Sequence, residues 1–380
     1  MLIPRYGRAS LPDVLPSAIA ALGVDGFPDA LGLRERLPGV RRVAVVLIDG
    51  LGHRLLPVAA PVAPLIADLV AGRVGEVMEL TSPFPSTTPV SLISLGTGAP
   101  PGQHGQVGFF LSIPGTDRVL DPLTWRDDPD PGQWQPVPTQ FTRAAAAGVQ
   151  VSVASRPEFA GSGLTMAAYR GARYRPAANP DELVEQVLCG LTGAPALSYG
   201  YHPTVDFAGH VHGVDSPEWR AAVADVDALL SRLVDGLPHD GALLVTADHG
   251  QLNIPVDHRF DLGTDPRLGA GLVKVSGEAR VRYLHTRPGA ATDVIDAWRA
   301  VLGPAASVLS RDEAVATGWY GSVSADHVAR IGDVVVVCHD RYAVLATGWE
   351  RESIAKLVGF HGSTTPEEMA VPLIIVRGDR

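Results

Sequence analysis

Cysteine is scarce: Cys189 and Cys338 are the only two in 380 residues. Both lie in or beside apolar segments, so buried free thiols are expected and a disulfide framework is not. No uninterrupted apolar run reaches the roughly 20 residues that a membrane helix needs. The start, MLIPRYGRASLPDVLPSAIAALG, is interrupted by Pro12, Asp13 and Pro16 and lacks the pattern of a secretion signal. A soluble, cytoplasmic protein is the expectation. Basic runs are missing too, and the formal charge is -10 with a pI near 5.6. Binding to a nucleic-acid polymer is thereby disfavoured, because it requires clustered lysine and arginine to neutralise the phosphate backbone. There is no internal repeat and no low-complexity tract.

Core-forming material is abundant. Hydrophobic residues make up 46% of the chain, enough for a globular protein of two or three average domains. Arg41 and Arg42 lead into VAVVLID, an apolar run without alternation, as expected of a strand covered on both faces. Further strands are read in VQVSVAS, PALSYGY, GALLVTAD and EMAVPLIIV, separated by helical segments such as DELVEQVLCGL and SPEWRAAVADVDALLSRLVDGL. This rhythm predicts an α/β fold with a mostly parallel central sheet. Two stretches break it. Residues 109–140, rich in proline, aspartate and tryptophan without a period, read as a lid-like loop. Residues 255–345 carry short alternating segments around TDVIDAWRAVL and read as an inserted smaller α+β subdomain, leaving 1–254 and 346–380 as the core.

Polar residues of one chemical kind recur just past the apolar strands, where an open α/β sheet binds its ligands. Asp49 follows VAVVLI and precedes a Gly-Leu-Gly turn. In YHPTVDFAGHVHG, Asp206 and His210 are four apart, spacing that lets both reach one cation; His202 and His212 flank them, His212 as the expected bystander. LLVTADHGQ delivers Asp248 and His249 to a glycine turn, and His361 precedes Gly362 in a loop leading back to a core strand. Within FPSTTPVSLISLGTG, a helix is expected to start at Pro89 with Thr88 as its N-cap, where free N–H groups and the helix dipole suit a phosphate. Ser86 and Thr87 compete with Thr88 for that role. The ligands are carboxylate and imidazole with no thiolate, a set that suits two divalent ions, zinc foremost and manganese next.

In their order, LIDGLG, PSTT followed by TG, DFAGHVHGVDSPE, TADHG and the final HG resemble the alkaline phosphatase superfamily, and within it the nucleotide pyrophosphatase/phosphodiesterase branch, over nearly the whole chain. The resemblance implies a three-layer sandwich around the central sheet and a metal-dependent hydrolase of phosphodiester or pyrophosphate bonds in small molecules, nucleotides among them. It implies Thr88 as the nucleophile that becomes a covalent phosphothreonine and also touches metal. One metal would be held by Asp49, Asp248 and His249, the other by Asp206, His210 and His361. The branch is expected to carry an asparagine three residues after the nucleophile to hold a phosphoryl oxygen; here that position is Ser91. A phosphomonoesterase or phosphonate hydrolase of the same superfamily is the nearest alternative, and a non-catalytic metal- or nucleotide-binding protein is the alternative of another class.

Overall fold

The computed structural model describes residues 1–378. In it the apolar runs become the strands β1 (Arg42–Ile48), β2 (Glu76–Thr81), β3 (Gln150–Ser155), β4 (Arg173–Pro176), β5 (Ala196–His202) and β6 (Gly241–Thr246). A second group comprises β7 (Leu272–Glu278), β8 (Val281–Thr286), β9 (Ala306–Ser310) and β10 (Val334–Cys338), and β11 (Ala370–Arg377) closes the chain. The main sheet runs β2-β11-β6-β1-β5-β3-β4. Strands β6, β1, β5, β3 and β4 pair in parallel, while β11 is antiparallel to both its neighbours. This is the mostly parallel α/β sheet read from the sequence. Every residue of β1 after Arg42 is buried, because VAVVLI has apolar side chains on both faces. Each Val, Leu or Ile so buried contributes roughly 1.5–3 kcal/mol.

The direction of β11 matters for function. An antiparallel strand begins at the edge where its parallel neighbours end, so the loop entering β11 lies beside the loops leaving β1, β5 and β6. The fold thereby gathers residues from 49 to 361 at one rim.

Strands β7 to β10 form an antiparallel sheet in the order β7-β8-β10-β9. In β10, alternation sends Val334 and Val336 to one side, where Trp298 and Leu302 of the helix Ala291–Leu302 cover them. Val335 and Val337 face the other way, into the main core, with Val281 and Tyr283.

Three expectations are corrected. Cys338 is buried, its Sγ 3.6 Å from the Ala279 carbonyl, but Cys189 is exposed at the end of its helix. That helix is amphipathic, and position 189 falls off its apolar face, which is Leu183, Val184 and Val187. Residues 109–140 are more ordered than an open loop: a short hairpin pairs Leu111–Ser112 with Val119–Leu120, and Trp125 and Trp134 are buried. Trp134 donates to Gln106 Oε1 at 2.9 Å and lies under the Arg330 guanidinium, 3.7 Å from its ring centre. The unperiodic sequence hid two aromatic anchors. Third, the helix after β2 starts one residue earlier than expected, at Thr88, with Thr87 as N-cap. Proline fits anywhere in the first turn, where no N–H is needed, so Pro89 marked the turn without fixing its first residue. Among the described residues no helix is long and apolar enough to cross a membrane.

Candidate metal centre

Asp49 leaves the end of β1, and its backbone N–H still joins the sheet through the His202 carbonyl at 3.0 Å. Gly50 then turns with φ +75°, and a Cβ there would stand 2.9 Å from the Cα of Asp206. Glycine thus lets the helix Thr204–His212 press against the rim. That helix carries Asp206 in its first turn and His210 one turn on, with Asp206 Oδ1 3.3 Å from His210 Nε2. Asp248 and His249 follow β6 with only Ala247 between. Gly250 makes their turn possible: its N–H donates to the Glu368 carbonyl at 2.8 Å, and a Cβ at this position would sit 2.0 Å from the Glu367 carbonyl oxygen. Gly250→Ala is therefore expected to cost about 1–3 kcal/mol from overpacking, read as a lower urea midpoint; an unchanged midpoint would mean that the contact yields freely.

The three histidines share one arrangement. His249 Nδ1 donates to the Gly250 carbonyl at 3.0 Å, His361 Nδ1 to the Ser86 carbonyl at 3.0 Å, and His210 Nδ1 to the Gly359 carbonyl at 2.7 Å. Carbonyl oxygen only accepts, so each Nδ1 carries the proton and each Nε2 presents a lone pair to the centre. His210 Nε2 and His361 Nε2 stand 3.1 Å apart, an arrangement of facing lone pairs that calls for positive charge between them. Asp206 Oδ1 completes this group, 3.8 Å from His361 Nε2. In the other group, Asp49 Oδ1 and Asp248 Oδ2 are buried without a hydrogen-bond partner among the described residues. They stand 3.5 and 3.2 Å from His249 Nε2. His249 also belongs with Asp206 and His361, all three ligand atoms lying within 4.8 Å of one another, so the two groups meet at this ring.

The electrostatics agree with the donor chemistry. Burial, reinforced by Asp248 and Asp206, pushes the Asp49 carboxyl well above its usual range against the pull of Tyr201. Burial raises Asp206 as well, opposed mainly by His210 and His249. Burial, with His249 and His210 nearby, holds His361 well below the usual imidazole value. Buried acids crowded together beside an imidazole held well below its usual range are what divalent cations satisfy. The residues fit such ions, with unpartnered carboxylate oxygens at Asp49 and Asp248 and imidazole nitrogens in both groups.

The three competing hydroxyls separate. Ser86 donates to the Ser363 carbonyl at 2.7 Å, and Thr87 Oγ1 is buried beside Glu278 and makes no hydrogen bond to a histidine among the described residues. Thr88 Oγ1 lies 3.2 Å from His249 Nε2, at the N-terminus of a ten-residue helix. Ser91 is a correction. Its side chain is fully buried and donates to the Asp248 carbonyl at 2.9 Å, beside Ser82 Oγ at 3.2 Å. One helical turn beyond Thr88, it faces the sheet and braces the Asp248 turn. His202 hydrogen-bonds Thr204 at 2.8 Å, and His212, 4.0 Å from Glu218, stands on the surface.

Sequence reasoning missed Tyr201, whose hydroxyl donates to Asp49 Oδ2, and Gln251, whose amide donates to Asp206 Oδ1 at 3.0 Å. It missed Arg280 and Glu368, a fully buried pair with both guanidinium–carboxylate bonds at 2.8 Å. Glu368 accepts from the Ser363 N–H at 3.0 Å and the Thr365 hydroxyl at 2.6 Å, fixing the loop behind His361. Tyr201 had a readable signal, since β5 neighbours β1 and pairs Tyr201 with Leu47. The Arg280–Glu368 pair, 88 residues apart, had none.

Fold and site together define an α/β protein with two candidate metal-ligand groups at the rim of its sheet and a threonine beside them. The chain belongs to the type I phosphodiesterase / nucleotide pyrophosphatase family, whose model matches residues 43–364. It is 25% identical over 259 residues to ectonucleotide pyrophosphatase/phosphodiesterase 1 of Saccharomyces cerevisiae, covering 56% of this chain and 34% of that protein. An uncharacterized pyrophosphatase/phosphodiesterase of Schizosaccharomyces pombe is 25% identical over 237 residues, 59% of this chain and 48% of the relative. The chain thus spans half or less of the length of these curated relatives. Among solved structures, murine ectonucleotide pyrophosphatase/phosphodiesterase 5 superposes with a TM-score of 0.69 at 20% identity, covering 89% of each chain. An inactive threonine-to-alanine variant of that protein in complex with AMP has the same TM-score, with 89% of this chain and 88% of that one covered. These likenesses show the alkaline-phosphatase-like fold.

Proposed function

We propose that this protein hydrolyses phosphodiester or pyrophosphate bonds of small molecules, nucleotides among them, through a covalent phosphothreonine at Thr88. The observation that carries the reading is the Thr88 hydroxyl, at a helix N-terminus and 3.2 Å from the ring nitrogen where the two ligand groups meet. Asp49, Asp248 and His249 would hold one divalent cation and Asp206, His210 and His361 the other; zinc is the first choice on ligand type. When bound, such a pair supplies charge neutralisation at the attacking and leaving oxygens and makes hydroxyl and water nucleophilic near neutral pH.

The chain's own residues do the rest. Thr88 Oγ1 forms its bond to phosphorus as the ester P–O bond breaks, and the departing oxygen takes up the hydroxyl's proton from solvent. Water then attacks the phosphothreonine and Thr88 leaves, which regenerates the hydroxyl. The free N–H groups of the first helical turn face the charge that builds on the phosphoryl oxygens. His249, His361 and His210 are held by backbone carbonyls in the tautomer that keeps Nε2 available throughout.

Chelation is expected to remove hydrolysis of an activated aryl phosphodiester, and zinc add-back to restore it. Activity that persists in fully demetallated protein would refute the metal role. The diester is expected to turn over faster than the corresponding aryl monoester; the reverse order would favour a phosphomonoesterase.

A further inference from the structure

A carboxylate has two oxygens, and whether it offers one or both to an ion changes how many ligands the ion finds. In the group of Asp49, Asp248 and His249 hydrogen bonds divide the oxygens. Asp248 Oδ1 accepts from the Gly50 N–H at 3.1 Å and the His249 N–H at 3.0 Å, which leaves Oδ2 without a partner among the described residues. For Asp49 the division falls to a side chain, Tyr201. Strand register explains why. β5 lies beside β1 and sets Tyr201 against Leu47. Leu47 and Asp49, two residues apart, rise on the same face, so the tyrosine ring comes up beside the aspartate. Its hydroxyl donates to Asp49 Oδ2, and Oδ1 is left buried without a hydrogen-bond partner among the described residues. Phe159 packs edge to face on the Tyr201 ring, 6.2 Å between centres, which helps fix where the hydroxyl points.

We propose that Tyr201 is a positioning residue that confines Asp49 to one oxygen toward the ion, making this a three-donor site of Asp49 Oδ1, Asp248 Oδ2 and His249 Nε2 whose fourth position is open to Thr88. The inference rests on the metal reading above. One ligand atom from each of the three residues lies within 4.8 Å of the others, and Thr88 Oγ1 is 3.2 Å from His249 Nε2. Three protein ligands and one open position is the arrangement that catalytic zinc takes. Calcium, which gathers roughly six to eight oxygens, and magnesium, which demands an octahedron, find too few donors in it. Without the tyrosine hydroxyl, Asp49 Oδ2 is free to turn to the ion as well, and the preference for four ligands is lost. Partners of this kind, which orient a ligand without touching the metal, typically matter about 10–100-fold in affinity.

Wild type, Tyr201→Phe and Tyr199→Phe are compared by zinc affinity, measured in competition with a chromophoric chelator, and by the visible spectrum of the cobalt(II)-loaded protein, where four-coordinate cobalt absorbs far more strongly than cobalt with more ligands. Tyr201→Phe keeps the ring against Phe159 and removes only the hydroxyl. It is expected to weaken zinc binding about 10–100-fold and to lose a large part of the cobalt absorbance. Tyr199→Phe, two residues back on the same strand, breaks a 3.1 Å hydroxyl pair with Tyr169. It deletes another buried hydroxyl, one that makes no hydrogen bond to a metal ligand among the described residues, so both readouts should stay at wild type. Either readout unchanged in Tyr201→Phe overturns the assignment. So does a Tyr199→Phe that loses as much as Tyr201→Phe, since the effect would then belong to strand packing. Wild-type protein that takes up no zinc ends the metal reading and this inference with it; zinc uptake by wild type with Tyr201→Phe indistinguishable from it leaves that reading intact and only Tyr201 misassigned.

Discussion

Thr88→Ala is expected to abolish turnover, with a loss of at least about 10³-fold, while stability and metal content stay near wild type. The scale follows from removing the atom that forms the covalent intermediate, which leaves only positioning and electrostatic stabilisation to act on water. Stability should survive because Thr88 makes no capping hydrogen bond; Thr87 is the N-cap, and its side chain makes none either. Three readouts check this: rate on an aryl phosphodiester, thermal melting, and bound zinc by elemental analysis. Thr87→Ala provides the comparison, because Thr87 Oγ1 is buried and makes no contact with His249 like the 3.2 Å one of Thr88. Full activity in Thr88→Ala with an inactive Thr87→Ala would move the nucleophile by one residue. A loss in Thr88→Ala accompanied by loss of metal would make Thr88 a positioning group for the ions.

What the sequence disclosed follows the reach of local pattern. Asp49 and Asp248 were legible because each follows an unbroken apolar run, and a run that long must be a buried strand whose end has to meet the rim. Asp206 and His210 were legible through four-residue spacing, which the helix Thr204–His212 turns into proximity. His361 carried little signal of its own and gained meaning only beside the others; spatially it is explained by the reversed direction of β11. Ser91 was misread because its position relative to Thr88 says nothing about which side of the helix the sheet covers. Arg280 and Glu368 were invisible for a different reason. They meet only because the tip of one sheet docks on the rim of another, a contact with no counterpart in periodicity or spacing.

Glu368→Ala is the substitution with the largest expected cost to the fold. It would leave the Arg280 guanidinium charged, fully buried and without its carboxylate, and would strip partners from the Ser363 N–H and the Thr365 hydroxyl. Breaking one side of a buried ion pair typically costs about 3–5 kcal/mol, a large share of the roughly 5–15 kcal/mol that holds a domain folded. Urea unfolding should show the midpoint falling accordingly, and a loss under about 1 kcal/mol would place the pair among weak surface-like contacts. Arg280→Met combined with Glu368→Met should be less damaging than Glu368→Ala alone, since the cost lies in the stranded charge more than in the lost attraction. The effect should also reach the metal centre. The Glu368 carboxylate fixes Ser363 two residues past His361, and its backbone carbonyl receives the Gly250 N–H next to His249. Zinc affinity measured under conditions where Glu368→Ala remains folded should therefore weaken, because the loop behind His361 loses its carboxylate anchor while the backbone bond beside His249 is kept; unchanged affinity would confine Glu368 to holding the two sheets together.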